Sequence, residues 1–230
     1  LRPSDTFIDV GANVGVYAVL ASGVVGCQTI AFEPGQTAGK VFLINCKLNE
    51  IENLVKLLPY AVGDKNETGR FTKGMDTTNH VLDTKTASNA ILYEEVEMVT
   101  LDATVLANQP ALVKIDVEGF TAPVLRGAEN LLQQASLQAV IIEVVFENVS
   151  ENDPDSNPHA VFHTMLEFGF RPYKYDPYER KLTEIDEQAW TATKRNQPAM
   201  EYNYLFLRDV EFVRSRVAEA EKYNVWNYQI

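Results

Sequence analysis

Cysteine is scarce in this chain. Cys27 and Cys46 are the two among 230 residues, and their separation matches no metal-ligand spacing. A disulfide scaffold and a paired-cysteine zinc module are thereby excluded, and a reduced, cytoplasmic setting is expected. No apolar run reaches the roughly 18 residues of a membrane span; the longest is broken by Gly23 and Gly26. Basic residues are in deficit as well, with 20 Lys and Arg against 32 Asp and Glu for a net charge of −12. Such a field repels polyphosphate and anionic lipid, so neither nucleic acid nor membrane insertion is expected. Histidine numbers three. His159 and His163 stand four apart, but no further ligand is spaced to join them, and no metal site is expected. The chain opens on Leu1 rather than Met, which points to truncation from a longer chain.

What is present is the make-up of a globular chain, 46% hydrophobic and 23% charged, long enough to bury a core of its own. Short β-branched and apolar runs alternate with amphipathic stretches, the signature of a parallel sheet covered by helices on both faces. The pattern predicts strands at Thr6 to Val10, Gln28 to Glu33, Val55 to Val62, Ala111 to Val117 and Leu137 to Val145. Helices are predicted at Val14 to Val24, Gly39 to Asn49 and Ala122 to Gln134. The C-terminal third predicts a helix from His159 to Glu167, strands at Arg171 to Tyr175 and Tyr202 to Leu207, and a helix from Val210 to Tyr223. The expected fold is therefore α/β, a doubly wound, mostly parallel seven-stranded sheet whose last strand is antiparallel. Residues 1–230 read as one domain carrying a loop or hairpin insertion at about 65–100, where only Gly69 to Thr72 and Glu95 to Thr100 look like strand pieces.

The sharpest local feature is Asp9-Val-Gly-Ala-Asn-Val-Gly15, set between the first strand and the first helix. Small residues there let backbone approach a ligand closely, and a helix N-terminus offers unpaired N–H groups. An ordinary tight turn would look the same. The dinucleotide fingerprint needs glycine at its third and sixth positions, which Asn13 and Val16 occupy, so a nicotinamide oxidoreductase is disfavoured. Glu33 closes the second strand 22 residues after Gly11, the spacing at which a carboxylate reaches both ribose hydroxyls of a nucleoside lying across the strand ends. Ala61, Val62 and Asp64, after the third strand, stand where an adenine ring would be flanked.

Seven motifs occur in one order: Phe7 to Gly15, Ala31-Phe-Glu-Pro34, Asn45-Cys-Lys-Leu-Asn49, Ala61-Val-Gly63, Thr100-Leu-Asp102, Lys114-Ile-Asp-Val-Glu-Gly-Phe120 and Val124-Leu-Arg-Gly-Ala128. Together they resemble the FkbM-type methyltransferases from about Asp5 to Val145. The resemblance implies a class I methyltransferase fold, S-adenosylmethionine as cofactor, and a hydroxyl of a sugar, glycan or natural product as acceptor. It places the cofactor on Asp9, Gly11, Asn13, Gly15, Glu33, Pro34, Ala61, Val62, Asp64 and Asp116. Where the family often continues Gly-Phe-Glu after the fourth strand, this chain has Thr121.

Methyl transfer to an alcohol requires in-line positioning and removal of the hydroxyl proton. Asp116 and Glu118 stand at the end of the fourth strand, beside the switch point where such sheets bind ligands, and Glu143 lies toward the end of the fifth. Asp116 ranks first as base or acceptor-orienting residue, with Glu143 and Glu118 behind it. His80, in the insertion, is a further base candidate. Tyr173, Tyr175 and Tyr178 around a turn can stack on a sugar or serve structurally, and Met75 to Tyr93 has the make-up of a lid. The rival from another class is a cofactor-binding relative without catalysis. The small-molecule or glycan acceptor itself has no recognisable code.

Overall fold

The computed structural model describes residues 1–74, 79–82, 92–144, 158–196 and 202–220. In chain order, β1 (Thr6–Val10) leads into α1 (Val16–Ala18), which continues as a π-helical segment (Val19–Val25), and then β2 (Gln28–Phe32), α2 (Gln36–Leu48) and β3 (Val55–Leu58) follow. Then come β4 (Ala61–Val62), β5 (Glu67–Thr72), β6 (Val81–Leu82) and β7 (Tyr93–Val99). Next come α3 (Leu101–Val105), β8 (Leu112–Ile115), α4 (Thr121–Arg126), α5 (Glu129–Leu132) and β9 (Ala139–Val144). The last third is α6 (Pro158–Glu167), β10 (Arg171–Asp176), β11 (Lys181–Glu184), α7 (Glu187–Asn196), β12 (Tyr202–Leu207) and α8 (Val210–Glu219).

The main sheet runs β11-β10-β12-β9-β8-β1-β2-β3. Pairings from β9 through β3 are parallel, and β12 runs antiparallel to both β9 and β10. The doubly wound α/β expectation is borne out, with eight strands among the described residues in place of seven. The eighth, β11, comes from the hairpin after β10: Asp176 Oδ1 accepts the backbone N–H of Tyr178 and Glu179 at 2.9 and 3.0 Å, and Arg180 takes a left-handed φ of 51°.

Two predicted elements differ from the observed ones for local reasons. The third strand does not run through to Val62. It stops before Pro59, which has no N–H for a ladder, and Ala61–Val62 pairs instead with β7 in a separate sheet ordered β4-β7-β5-β6. The helix expected over 122–134 is two pieces parted at Gly127, where a Cβ would stand 2.0 Å from the Gly63 carbonyl oxygen. Asp102 then caps α5, accepting from the backbone N–H of Asn130 and Leu131 at 2.9 and 2.8 Å. The predicted lid lies for the most part outside the described residues.

Period-2 alternation sorts the sheet into two faces. Ile8, Val10, Phe32, Val113, Ile115, Val140 and Ile142 feed the larger core beneath α4, α5, α6 and Trp190. The opposite face carries Phe7, Ala31 and Leu112 against α1 and α2, packed with Tyr17, Ala18, Phe42 and Cys46. Cys27 and Cys46 are both buried and free.

Candidate active site

The same alternation decides where the acids go. In the parallel register Asp9 is paired with Ala31 on one side and Lys114 on the other, and Lys114 with Ile141. Two residues further along each strand, on the same face, stand Glu33, Asp116 and Glu143. Four carboxyl groups thus collect on the α1/α2 face, at the carboxyl ends of adjacent strands. The switch point lies between β1 and β8, where connections leave in opposite directions and open sheets form their ligand crevices.

A cavity of about 860 Å3 opens there, within the roughly 300–1,000 Å3 typical of small-molecule clefts. Gly11, Asn13, Glu33 and Pro34 line one part, Ala61, Val62 and Phe71 another, and Asp116, Glu118 and Glu143 a third. Gly11 has a φ of +75°, and a Cβ on it would meet the Asp116 carbonyl oxygen at 1.8 Å, so only glycine lets the turn lie against β8. Asn13 also sits in the left-handed region, at a φ of 49°, which asparagine tolerates better than most residues. Asn45 of α2 holds the turn from behind, its Nδ2 donating to the Val14 carbonyl at 2.8 Å. Gly15 belongs to this packing rather than to the cavity wall, pressed against Phe42.

Glu33, 7% exposed, clamps the same turn. Its Oε2 accepts the Asn13 N–H at 2.8 Å and its Oε1 the Gly35 N–H at 2.7 Å. Burial raises its pKa above the ordinary value, and the two N–H bonds work against that shift. A carboxylate offers about four acceptor positions, so two protein bonds leave capacity for ligand hydroxyls.

Behind the cavity wall lies a buried charge network. Lys114 Nζ donates to Asp116 Oδ2 at 2.6 Å, stands 4.0 Å from Asp9 Oδ1, and lies 4.5 Å from the centre of the Tyr17 ring. Asp9 is fully buried, and neither of its carboxyl oxygens has a hydrogen-bond partner among the described residues. Burial, partly opposed by Lys114 and reinforced by Asp116 and Glu33, pushes its pKa up to about 7. For Asp116 burial also acts upward, but a hydrogen bond with Glu143 and the adjacent ammonium outweigh it and hold the carboxyl below the ordinary range. Two carboxyl groups can share such a bond only with a proton between them.

Among the described residues, Asp116, Glu118 and Glu143 bring carboxyl oxygens within 4.8 Å of one another, a spacing that would admit a cation. No sequence spacing suggested this, because Glu143 arrives through the β8–β9 register. Asp64 stands outside the cavity lining, bound to Arg126 at 3.0 and 3.2 Å. His80 does reach the cavity, together with Thr72, Lys73, Asn79 and Glu94 of the second sheet. Apart from His80 these were missed, since nothing local marks a threonine or a Lys73–Glu94 ion pair, 3.0 Å long, as part of a site. His163 stands 3.7 Å from Glu187 on the surface.

An α/β sheet wound in this order, with an acidic cleft at its switch point, has the form of a class I methyltransferase. The methyltransferase FkbM domain model matches residues 9–172, and the chain belongs to that family: it is an S-adenosylmethionine-dependent methyltransferase. No curated protein matches it in sequence. Similar solved structures include an RNA methyltransferase from Salinibacter ruber in complex with S-adenosyl-L-homocysteine, at 14% identity and a TM-score of 0.38, covering 62% of this chain and 66% of that one. Precorrin-6y C5,15-methyltransferase from Geobacter metallireducens is similar at 12% identity and a TM-score of 0.43, covering 90% of this chain and 79% of that one.

Proposed function

We propose that this methyltransferase transfers the methyl group to an oxygen of a sugar, glycan or natural-product hydroxyl, as a cytoplasmic enzyme. The observation that carries the reading is the placement of Glu33 and of Asp116, Glu118 and Glu143 along one cavity. The donor set suits the cofactor. Glu33 keeps acceptor capacity for ribose hydroxyls, Ala61, Val62 and Phe71 give an apolar wall for a base, and the carboxylates complement an ammonium and a sulfonium. Asn13 and Pro34 border the same part of the cavity, whereas Asp9 lies behind its wall near Lys114 and Gly15 packs against Phe42. When bound, S-adenosylmethionine supplies an electrophilic methyl group on a sulfonium.

Asp116 is the residue assigned to the acceptor. Held ionised by Lys114, it accepts a hydrogen bond from the attacking hydroxyl and so orients the oxygen. As the carbon–oxygen bond forms and the carbon–sulfur bond breaks, the hydroxyl becomes acidic and its proton passes to an Asp116 carboxyl oxygen. A carboxylate of low pKa helps only late in that step, which confines its effect to the transition state. Glu143 and Glu118 flank it, and His80 lies across the cavity. A chain of net charge −12 with carboxylates around its acceptor position disfavours polyphosphate acceptors.

Asp116→Asn keeps the shape and removes the base. Turnover with labelled donor, once an acceptor screen has yielded a substrate, should fall by roughly 10²- to 10⁴-fold, with S-adenosylhomocysteine affinity within a few-fold of wild type. Collapse of donor affinity with turnover preserved at saturating donor would make Asp116 a cofactor ligand instead.

A further inference from the structure

We propose that the outer face formed by α1, its π-helical continuation and α2 is a self-association surface that takes a second copy of this chain. Thirteen large hydrophobic side chains are exposed among the described residues, and seven of them lie between Val16 and Leu48. That concentration is the signature of an interaction patch rather than of singly scattered surface apolar residues.

The helical geometry joins six of them, all but Leu43, into one face. On α2, Phe42 and Cys46 point into the core, Gly39 lies against Leu57 of β3, and Asn45 bonds to the Val14 carbonyl. The Asn45 flank of α2 therefore faces α1, and Val41, Ile44 and Leu48, spaced three and four apart, run along the outer side of that flank. On the first helix Ala18, Ala21 and Ser22 are buried, which leaves Val16, Leu20 and Val24, spaced four apart, outward. The two stripes lie side by side on neighbouring helices of one layer. Their exposures run from 38% at Val41 to 76% at Leu48.

Charge and area select the occupant. From Gly11 to Asn49 the sole acidic residue is Glu33, which is buried. In a chain of net charge −12 this is a face on which two copies can meet without opposing carboxylates. Its rim carries both signs, with Lys40 and Lys47 on α2 and Glu50 and Glu52 just beyond it. An isologous pairing about a two-fold axis, which sets each patch against itself in reversed direction, can bring such ends together. Six half-exposed aliphatic side chains present on the order of 500 Å2 per copy, so a pair buries about 1,000 Å2, the lower bound for a specific interface. Anionic lipid is a poor occupant for so acidic a chain. Val41 also lines the cavity, so the interface begins at the rim of the site.

Light scattering coupled to gel filtration, on the full chain from about 1 to about 100 µM, a span suited to modest affinity, tests this. The expected result is a concentration-dependent rise from the 25.8 kDa monomer towards twice that mass. Ile44→Glu and Leu48→Glu should remain monomeric with unchanged circular dichroism, and the milder Ile44→Ser carries the same expectation. Tyr178→Glu, an exposed aromatic of the β10–β11 turn, should leave the dimer intact. A wild-type chain that stays monomeric throughout, a dimer that survives the α2 substitutions, or a monomer that sediments with phosphatidylcholine vesicles through Ile44 and Leu48 would each overturn the proposal.

Discussion

Glu33→Gln separates the task that one carboxylate performs in the structure from the one proposed for it. In the wild type each carboxylate oxygen accepts one backbone N–H, from Asn13 and from Gly35. The substituted amide keeps one acceptor oxygen and replaces the other by an NH2 group, which faces a donor it cannot bond. One N–H is left unsatisfied at a nearly buried position, a cost of about 1–3 kcal/mol. For a chain of this size that corresponds to a Tm lower by about 2–12 °C. The second task is separable, because the remaining lone pairs of the carboxylate are assigned to the ribose. Replacing a charged acceptor by a neutral one should cost about 1.5–3 kcal/mol of donor binding, roughly a 10- to 150-fold rise in Kd.

Differential scanning fluorimetry and isothermal titration with S-adenosylhomocysteine, on wild type and Glu33→Gln side by side, read both quantities. A lowered Tm with unchanged Kd would leave Glu33 a clamp on the turn and refute the ribose assignment. If neither value moved, the reasoning from the two N–H bonds would fail as well.

The remaining predictions concern the charges behind the wall. Asp9 has its pKa raised to about 7 in the folded chain. The stability this shift contributes is therefore present in full below the ordinary value near 4 and is lost as pH rises through 7. The Tm of Asp9→Asn should gain on wild type between pH 5 and pH 8; a pH-independent difference would contradict the shift. Lys114→Met strands two carboxylates beside an apolar side chain and should cost about 3–5 kcal/mol in urea unfolding, with part of the loss recovered in Asp9→Asn/Lys114→Met. Additive effects of the two substitutions would dissolve the network. The Lys114 ammonium, 2.6 Å from Asp116, already supplies positive charge beside the three clustered acids, so turnover should survive EDTA within about two-fold. Loss of activity restored by magnesium or manganese would assign that cluster to an ion.

The acidic end of the cavity was legible from sequence because it rests on short-range rules. Once Asp9, Glu33, Asp116 and Glu143 are placed near the ends of buried parallel strands, period-2 alternation and a right-handed crossover put them on one face and at one edge. The motifs were less legible as to role. Several that carried the family resemblance turn out to hold the fold together: Asp102 caps α5, Asn45 braces the Gly11–Gly15 turn, Gly127 permits the close approach of the Gly63 carbonyl, and Gly63 makes room for Met98. Asp64, read as a base-flanking residue, pairs with Arg126 on α4. A motif reports that a residue type is required at a position; whether the requirement is chemical or architectural depends on which side of the strand end it faces.

The opposite wall was illegible for a different reason. Thr72, Lys73 and Glu94 reach the cavity through β5 and β7, segments that read from sequence only as separate strand pieces, because their pairing and placement come from elsewhere. The second sheet is seated by Met98, packed at Gly63 beside Phe120, and by Phe71, Val96 and Ala61 in a small core of its own. Those contacts join residues from about 60 to 120, separations over which no local period operates. Pro59 marks the junction, ending β3 and releasing Ala61–Val62 to start the second sheet, so that one chain segment closes the nucleotide-type wall and founds the facing wall. A single proline thereby sets the boundary between what alternation predicts, the wall proposed for the cofactor, and what only tertiary packing decides, the wall proposed to meet the acceptor.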